Sequence, residues 1–158
     1  MENSPLDAGS IKILKELQEN CRISTNDLAA KIGMSATPCW RRHKELENSG
    51  VIVRYAAVLD RFKVGLSVCC LTHVSLISHG LRVMEQFEDA MRLQPEVAEC
   101  YETTGTSDYI LKIVVADMDA YHDFVRNVLS RQEGISQVNT CVVLSEIKHE
   151  TALFLDRV

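Results

Sequence analysis

Hydrophobic and polar positions change their period once along this chain, near residue 65, and the change divides it in two. Before that point apolar residues recur three and four apart; after it, stretches of strict alternation appear. In the first part Ile13, Leu14 and Leu17 share one helical face, and Asp7 is placed to cap the helix that carries them. The segment "CRIS" breaks the pattern. Ser24 then caps a second, short helix, with Asp27 three residues on as a weaker form of the capping box. Leu28, Ala29 and Ile32 supply its buried face, and Gly33 is the expected left-handed residue that ends it. After Gly33 and Met34, Ser35 caps a third helix. Pro38 is tolerated in its first turn, where backbone N–H groups lack intrahelical partners. Cys39, His43 and Leu46 should face inward, while Thr37, Arg41 and Lys44 point outward with Trp40 and Arg42 beside them. Gly50 closes this helix, and "VIVRYAAVLD" is expected to continue as an extended strand and linker.

From Leu66 the period is two. "LSVCCLTHVSL" reads as a strand, and "LRVMEQFEDAMRL" as a helix with Leu81, Met84, Phe87 and Met91 inward. "VAECYETTG" and "DYILKIVVA" form a hairpin across "TGTSD". "MDAYHDFVRNVLS" is an amphipathic helix with Tyr121, Phe124, Val125, Val128 and Leu129 on one side, and "ISQVNTCVVLSEIK" is the fourth strand. The order β-α-β-β-α-β is the ferredoxin-like arrangement, an antiparallel sheet with both helices on one face. Nothing in the chain is left to cover the other face, so sheet-to-sheet pairing of two copies is expected. The fold class is therefore α+β: a three-helix winged/HTH-type domain over residues 1–50, a hinge over 51–64, and a ferredoxin-like domain over 65–158.

Charge sharpens the division. The net charge is −5, but residues 1–63 hold ten Lys or Arg against eight Asp or Glu, a net of +2, and residues 64–158 hold seven against fourteen, a net of −7. Such asymmetry assigns the two parts different tasks. Six cysteines show no CxxC spacing, and no His pair lies at zinc-ligand spacing, so neither a metal nor another cofactor is expected. In a reducing compartment the cysteines serve as small apolar residues, with redox sensing by Cys69 and Cys70 as the alternative. No apolar run reaches membrane-spanning length and the first ten residues are polar, which points to the cytoplasm.

A short helix, a glycine turn and a second helix with exposed basic residues make a helix-turn-helix, which lays its second helix in the DNA major groove. Ser35 and the N–H groups around it suit a backbone phosphate; Ser24 and Thr25, at the start of the preceding helix, join the candidate DNA contacts. Thr37, Trp40 and Arg41 are placed for base edges, and Arg42, Lys44 and Arg54 for phosphates. The alternative packs Trp40 into the small core and pairs the arginines with Glu45 or Glu47. The target would be double-stranded DNA with a roughly palindromic site, if the protein pairs by two-fold symmetry.

Residues 11–60, from "IKILKELQEN" through the "SGVI" hinge, with "TGTSDYIL" further on, resemble the Lrp/AsnC (feast/famine) transcriptional regulators along nearly the whole chain. The resemblance implies that residues from about Gly65 to Glu150 form an effector-binding RAM domain. It also implies homodimers, higher homo-oligomers up to an octamer, and an amino-acid effector. Carried over, the family's effector loop falls on Gly105 and Asp108 with Ser107 and Tyr109 beside them, and its fourth-strand threonine on Thr140. Gly105 permits close backbone approach and Asp108 can accept from an ammonium group; an ordinary hairpin turn is the other reading of the same residues. The chain departs from the family at Ser10, usually aspartate, and at His43, usually Val or Ile. A buried neutral histidine there needs a hydrogen-bond partner.

No Gly-rich phosphate loop, GxSxG or compact metal cluster is present, so catalysis is not expected. The rival to a metabolite-tuned regulator is an architectural DNA-binding protein without an effector.

Overall fold

The computed structural model describes residues 6–156, in two compact units. One holds the described residues up to Ala57 together with those from Lys148 onward; the other is Val58–Ile147.

The first unit contains α1 (Ala8–Glu19), α2 (Thr25–Ile32) and α3 (Ala36–Asn48). Local sequence sets each boundary. The Asp7 side chain accepts from Ser10 N–H at 2.7 Å and the Ser24 hydroxyl from Asp27 N–H at 3.2 Å, satisfying orphan donors at two helix starts. Gly33 adopts φ 69°, and Met34 N–H then donates to the Ala29 carbonyl at 2.9 Å, which closes α2 within one residue. Ile13, Leu14, Leu17, Leu28, Ala29, Cys39 and Leu46 form one small core. Residues 51–64 contain no strand. A strand exists through its ladder, and none of the described strands pairs with this stretch.

The second unit runs β1 (Val68–Leu76), α4 (Leu81–Arg92), β2 (Val97–Glu102), β3 (Tyr109–Val115), α5 (Met118–Asn127), a 3₁₀ turn (Leu129–Arg131) and β4 (Ile135–Val142). The sheet order is β2-β3-β1-β4, with every neighbouring pair antiparallel. Cys70, Val74 and Leu76 of β1 and Tyr109, Leu111, Ile113 and Val115 of β3 line the core with Phe87, Met91, Tyr121, Phe124 and Leu129. Leu81, expected inward, is exposed: it is the first residue of α4, before the helix has settled onto the sheet.

The opposite face of the sheet leaves Leu71, Tyr101 and Cys141 exposed. It is not wholly bare. Lys112 approaches Glu99 at 3.2 Å and Glu146 at 4.0 Å, and Arg61 reaches Glu146 at 4.0 Å and the Ser67 carbonyl at 2.6 Å. These side chains surround Cys69, which is buried, and burial raises its thiol pKa. The described residues from Lys148 onward, expected in this domain, group with the helices of the first unit. Leu155 packs against the small core there.

Candidate nucleic-acid interface and effector loop

Helix α3 begins at Ser35, whose backbone takes the capping conformation while its side chain makes no cap hydrogen bond. That leaves a hydroxyl and first-turn N–H groups directed out of a helix N-terminus, where partial positive charge gathers. Thr37, Trp40, Arg41 and Lys44 follow on one arc of the helix and all are exposed, Trp40 by 54%. The indole therefore stands outside the small core. Arg41 lies 3.6 Å from Glu45 and Lys44 2.6 Å from Glu47, one turn along the same helix. The Arg41–Glu45 pair is exposed on both sides, contributes little and is screened by salt, so a phosphate can replace the partner; Glu47, the partner of Lys44, is more enclosed and also accepts from Tyr55.

Arg42 takes the other side of the helix. Its Nη2 and Nε donate to one oxygen of Asp7, at 2.8 and 3.1 Å. The guanidinium holds the Asp7 carboxyl far below the ordinary carboxylate range. Arg42, expected among the phosphate contacts, is thus half-buried and bonded to Asp7, a contact that ties α3 to the start of α1. Ser24 likewise serves its own helix, donating to Asp27 at 2.6 Å, and Thr25 is half-buried beside it. Arg54 is exposed in the hinge.

The partner that His43 requires comes from the hinge. Its Nε2 lies 2.6 Å from the Tyr55 hydroxyl, which donates to Glu47 at 2.9 Å. Partial burial and the Glu47 carboxylate push the Tyr55 hydroxyl pKa up to about 12. Sequence reasoning missed this triad and the Asp7–Arg42 bond. Helical spacing signals neighbours three and four apart, whereas these partners stand 12 and 35 residues apart.

In the second unit Gly105 takes φ 140°, open to solvent. Asp108 is engaged through both carboxylate oxygens: one accepts from Leu76 N–H at 2.7 Å, the other lies 2.9 Å from His79 Nε2. The Leu76 N–H, and then His79, lower its pKa. Ser107 is buried with its hydroxyl 3.2 Å from His73 Nδ1. Tyr109 is enclosed against Phe87, its hydroxyl donating to Glu88 at 3.1 Å, and its pKa is driven upward by burial and by that carboxylate. Gly105, Ser107 and Asp108 therefore share one loop, while Tyr109 points into the core. Thr140 lies elsewhere: the register sets it opposite Thr72, and its hydroxyl meets those of Tyr121 and Thr72. A cleft of about 370 Å³ between α4 and β2 is bordered by Tyr109 with Glu88, Arg92, Cys100 and Glu102.

The chain matches two known families. Residues 69–153 match the Lrp/AsnC ligand binding domain, and residues 6–53 a winged helix-turn-helix DNA-binding domain. It is 39% identical over 153 residues to the leucine-responsive regulatory protein of Haemophilus influenzae, covering 97% of this chain and 92% of that one. To the transcriptional regulator AzlB of Bacillus subtilis it is 35% identical over 151 residues, covering 96% of each. Among solved structures, a transcriptional regulator of Neisseria meningitidis in complex with L-methionine superposes with a TM-score of 0.92 at 37% identity, covering 97% of this chain and 99% of that one. An AsnC family regulator of Agrobacterium tumefaciens gives 0.92 at 38%, covering 96% and 99%.

Proposed function

The chain belongs to the Lrp/AsnC family of transcriptional regulators, and from that membership we propose that it is a sequence-specific DNA-binding regulator tuned by a small amino acid. One observation carries the DNA half: Thr37, Trp40, Arg41 and Lys44 stand exposed on one arc of α3, behind an N-terminus whose Ser35 side chain makes no cap bond. A helix so built can dock its front in the major groove, with Thr37, Trp40 and Arg41 at base edges and Ser35, Lys44 and Arg54 at phosphates. Arg42 joins them by sharing its charge between Asp7 and the DNA.

For the effector half, the Gly105–Asp108 loop offers open backbone next to a carboxylate, a pair suited to an α-amino acid. The L-methionine bound by the similar Neisseria regulator supports that ligand class. Ser107, Tyr109 and Thr140 then act as supports of the loop and sheet. Two-fold pairing through the hinge and the exposed sheet face would present two α3 helices to a roughly palindromic site, and larger rings up to an octamer would join such dimers. A reader of chromosomal DNA works in the cytoplasm.

The second reading, an architectural DNA-binding protein without an effector, draws on Asp108, whose two oxygens are already satisfied within the chain. Isothermal titration against the twenty amino acids separates the two. Saturable heat with at least one of them, weakened by Asp108→Asn, is the expected result. Silence with all twenty leaves the architectural role.

A further inference from the structure

Beyond Ile147 the chain makes contacts that neither the α3 arc nor the effector loop uses. Residues 148–155 form no helix or strand, yet they belong to the helical unit. Leu155 packs against the core built on Ile13, Leu17 and Leu28. The Gln18 amide grips a single residue's main chain twice: Nε2 donates to the Leu153 carbonyl at 3.1 Å, and Oε1 accepts from Leu153 N–H at 2.5 Å. Lys15, one helical turn earlier on the same face, pairs with Asp156. Two bonds to one backbone unit fix where the segment lies along the helix, whatever side chain it carries. At its other end α1 is held to α3, through Asp7 and Arg42. One helix is thus bonded to this closing segment in its last turns and to α3 at its start.

We propose that the Lys15–Gln18 face of α1 is a docking surface for the chain's own residues 148–156, and that the docked segment positions α3 for DNA. The inference rests on the DNA-binding reading above. The chain leaves the helical unit after Ala57 and returns to it at Lys148. The ligand-binding unit is therefore an insertion within the DNA-binding one, and a change in it reaches α3 by two covalent routes instead of one. Gln18 and Leu155 act here as positioning residues; neither touches the DNA.

The test compares the full chain, Gln18→Ala, Leu155→Ala and a chain ending at Ile147. Each is titrated by anisotropy with a duplex that the full chain enriches from a random-sequence pool, at several salt concentrations, and helix content is followed by circular dichroism. The chain ending at Ile147 is expected to keep its helical signal and to lose at least tenfold in affinity. The slope of log K against log salt should stay unchanged, because the shortened chain keeps every residue placed at a phosphate. A synthetic peptide of residues 148–158 should restore binding in trans while the helical signal stays constant, so that the recovery is not one of folding. Full affinity without the segment, or no recovery with the peptide while helicity is intact, overturns the proposal. Where the shortened chain loses its helices, Gln18→Ala decides: a threefold or greater loss well below its unfolding temperature supports docking, and unchanged affinity overturns it. A pool that yields no preferred duplex removes the DNA reading itself and takes this proposal with it.

Discussion

Arg41 and Arg42 are adjacent in sequence and carry the same charge, yet the structure gives them different work. Arg41 is solvent-facing beside Glu45, and Arg42 is clamped to Asp7. Truncating Arg41 should lower affinity for the preferred site by roughly 1–3 kcal/mol and relax specificity at the base it reads. Lys44→Ala should instead weaken all duplexes about equally and reduce the salt slope by about 1. Competition titrations at fixed salt, with specific and random duplex, distinguish these outcomes. At this scale the sequence was readable wherever the cause was local. Asp7 and Ser24 cap as their positions imply, and Cys39 and Leu46 turn inward with the helical period. What stayed hidden was a partner brought from a distance: Asp7 for Arg42, Tyr55 for His43, His79 for Asp108. A side chain's charge is visible in sequence, but the group that neutralises it is set by folding.

Helix boundaries follow from a few residues with fixed conformational preferences. Gly33 at φ 69° is the pivot between α2 and α3, with open space where a Cβ would stand, so its cost of substitution is conformational and not steric. Gly33→Ala should therefore destabilise the fold by about 1–2 kcal/mol through the left-handed penalty alone. Its DNA affinity should also fall, since α3 leaves this turn directly. Thermal unfolding with and without duplex reads both effects; an unchanged midpoint would mean that the turn relaxes freely. The sheet was legible for a related reason: alternation specifies which side of β1 and β3 is buried, and the antiparallel order follows from the connections. Residues 51–64, expected as an extended strand and linker, contain no strand, because none of the described strands pairs with them. Composition expresses a preference; pairing needs a second strand.

For the whole molecule, the two charge regimes of the sequence follow the two units, apart from residues 58–63, which belong to the second unit, and the segment after Ile147, whose return no periodicity announces. Leu71 and Tyr101 remain exposed on the sheet face opposite the helices, where an apolar side chain gains by meeting another copy. Tyr101→Glu and Leu71→Glu together should shift sedimentation to a smaller species at equal concentration. An unchanged coefficient would remove that face from assembly. The candidate effector residues were legible only in part: Gly105 and Asp108 share a loop, whereas Thr140 joins Thr72 and Tyr121 because register, not proximity in sequence, decides its neighbours.

Trp40 is the one tryptophan of the chain, and it stands in the middle of the α3 arc. Its emission therefore reports directly on what that arc touches. Titrating the full chain with its preferred duplex at fixed salt should change Trp40 emission saturably, at the same concentrations at which anisotropy reports binding. Random duplex should produce the change only at much higher concentration. Binding that leaves the indole emission untouched, or an identical response to both duplexes, would contradict a DNA-reading role for this helix.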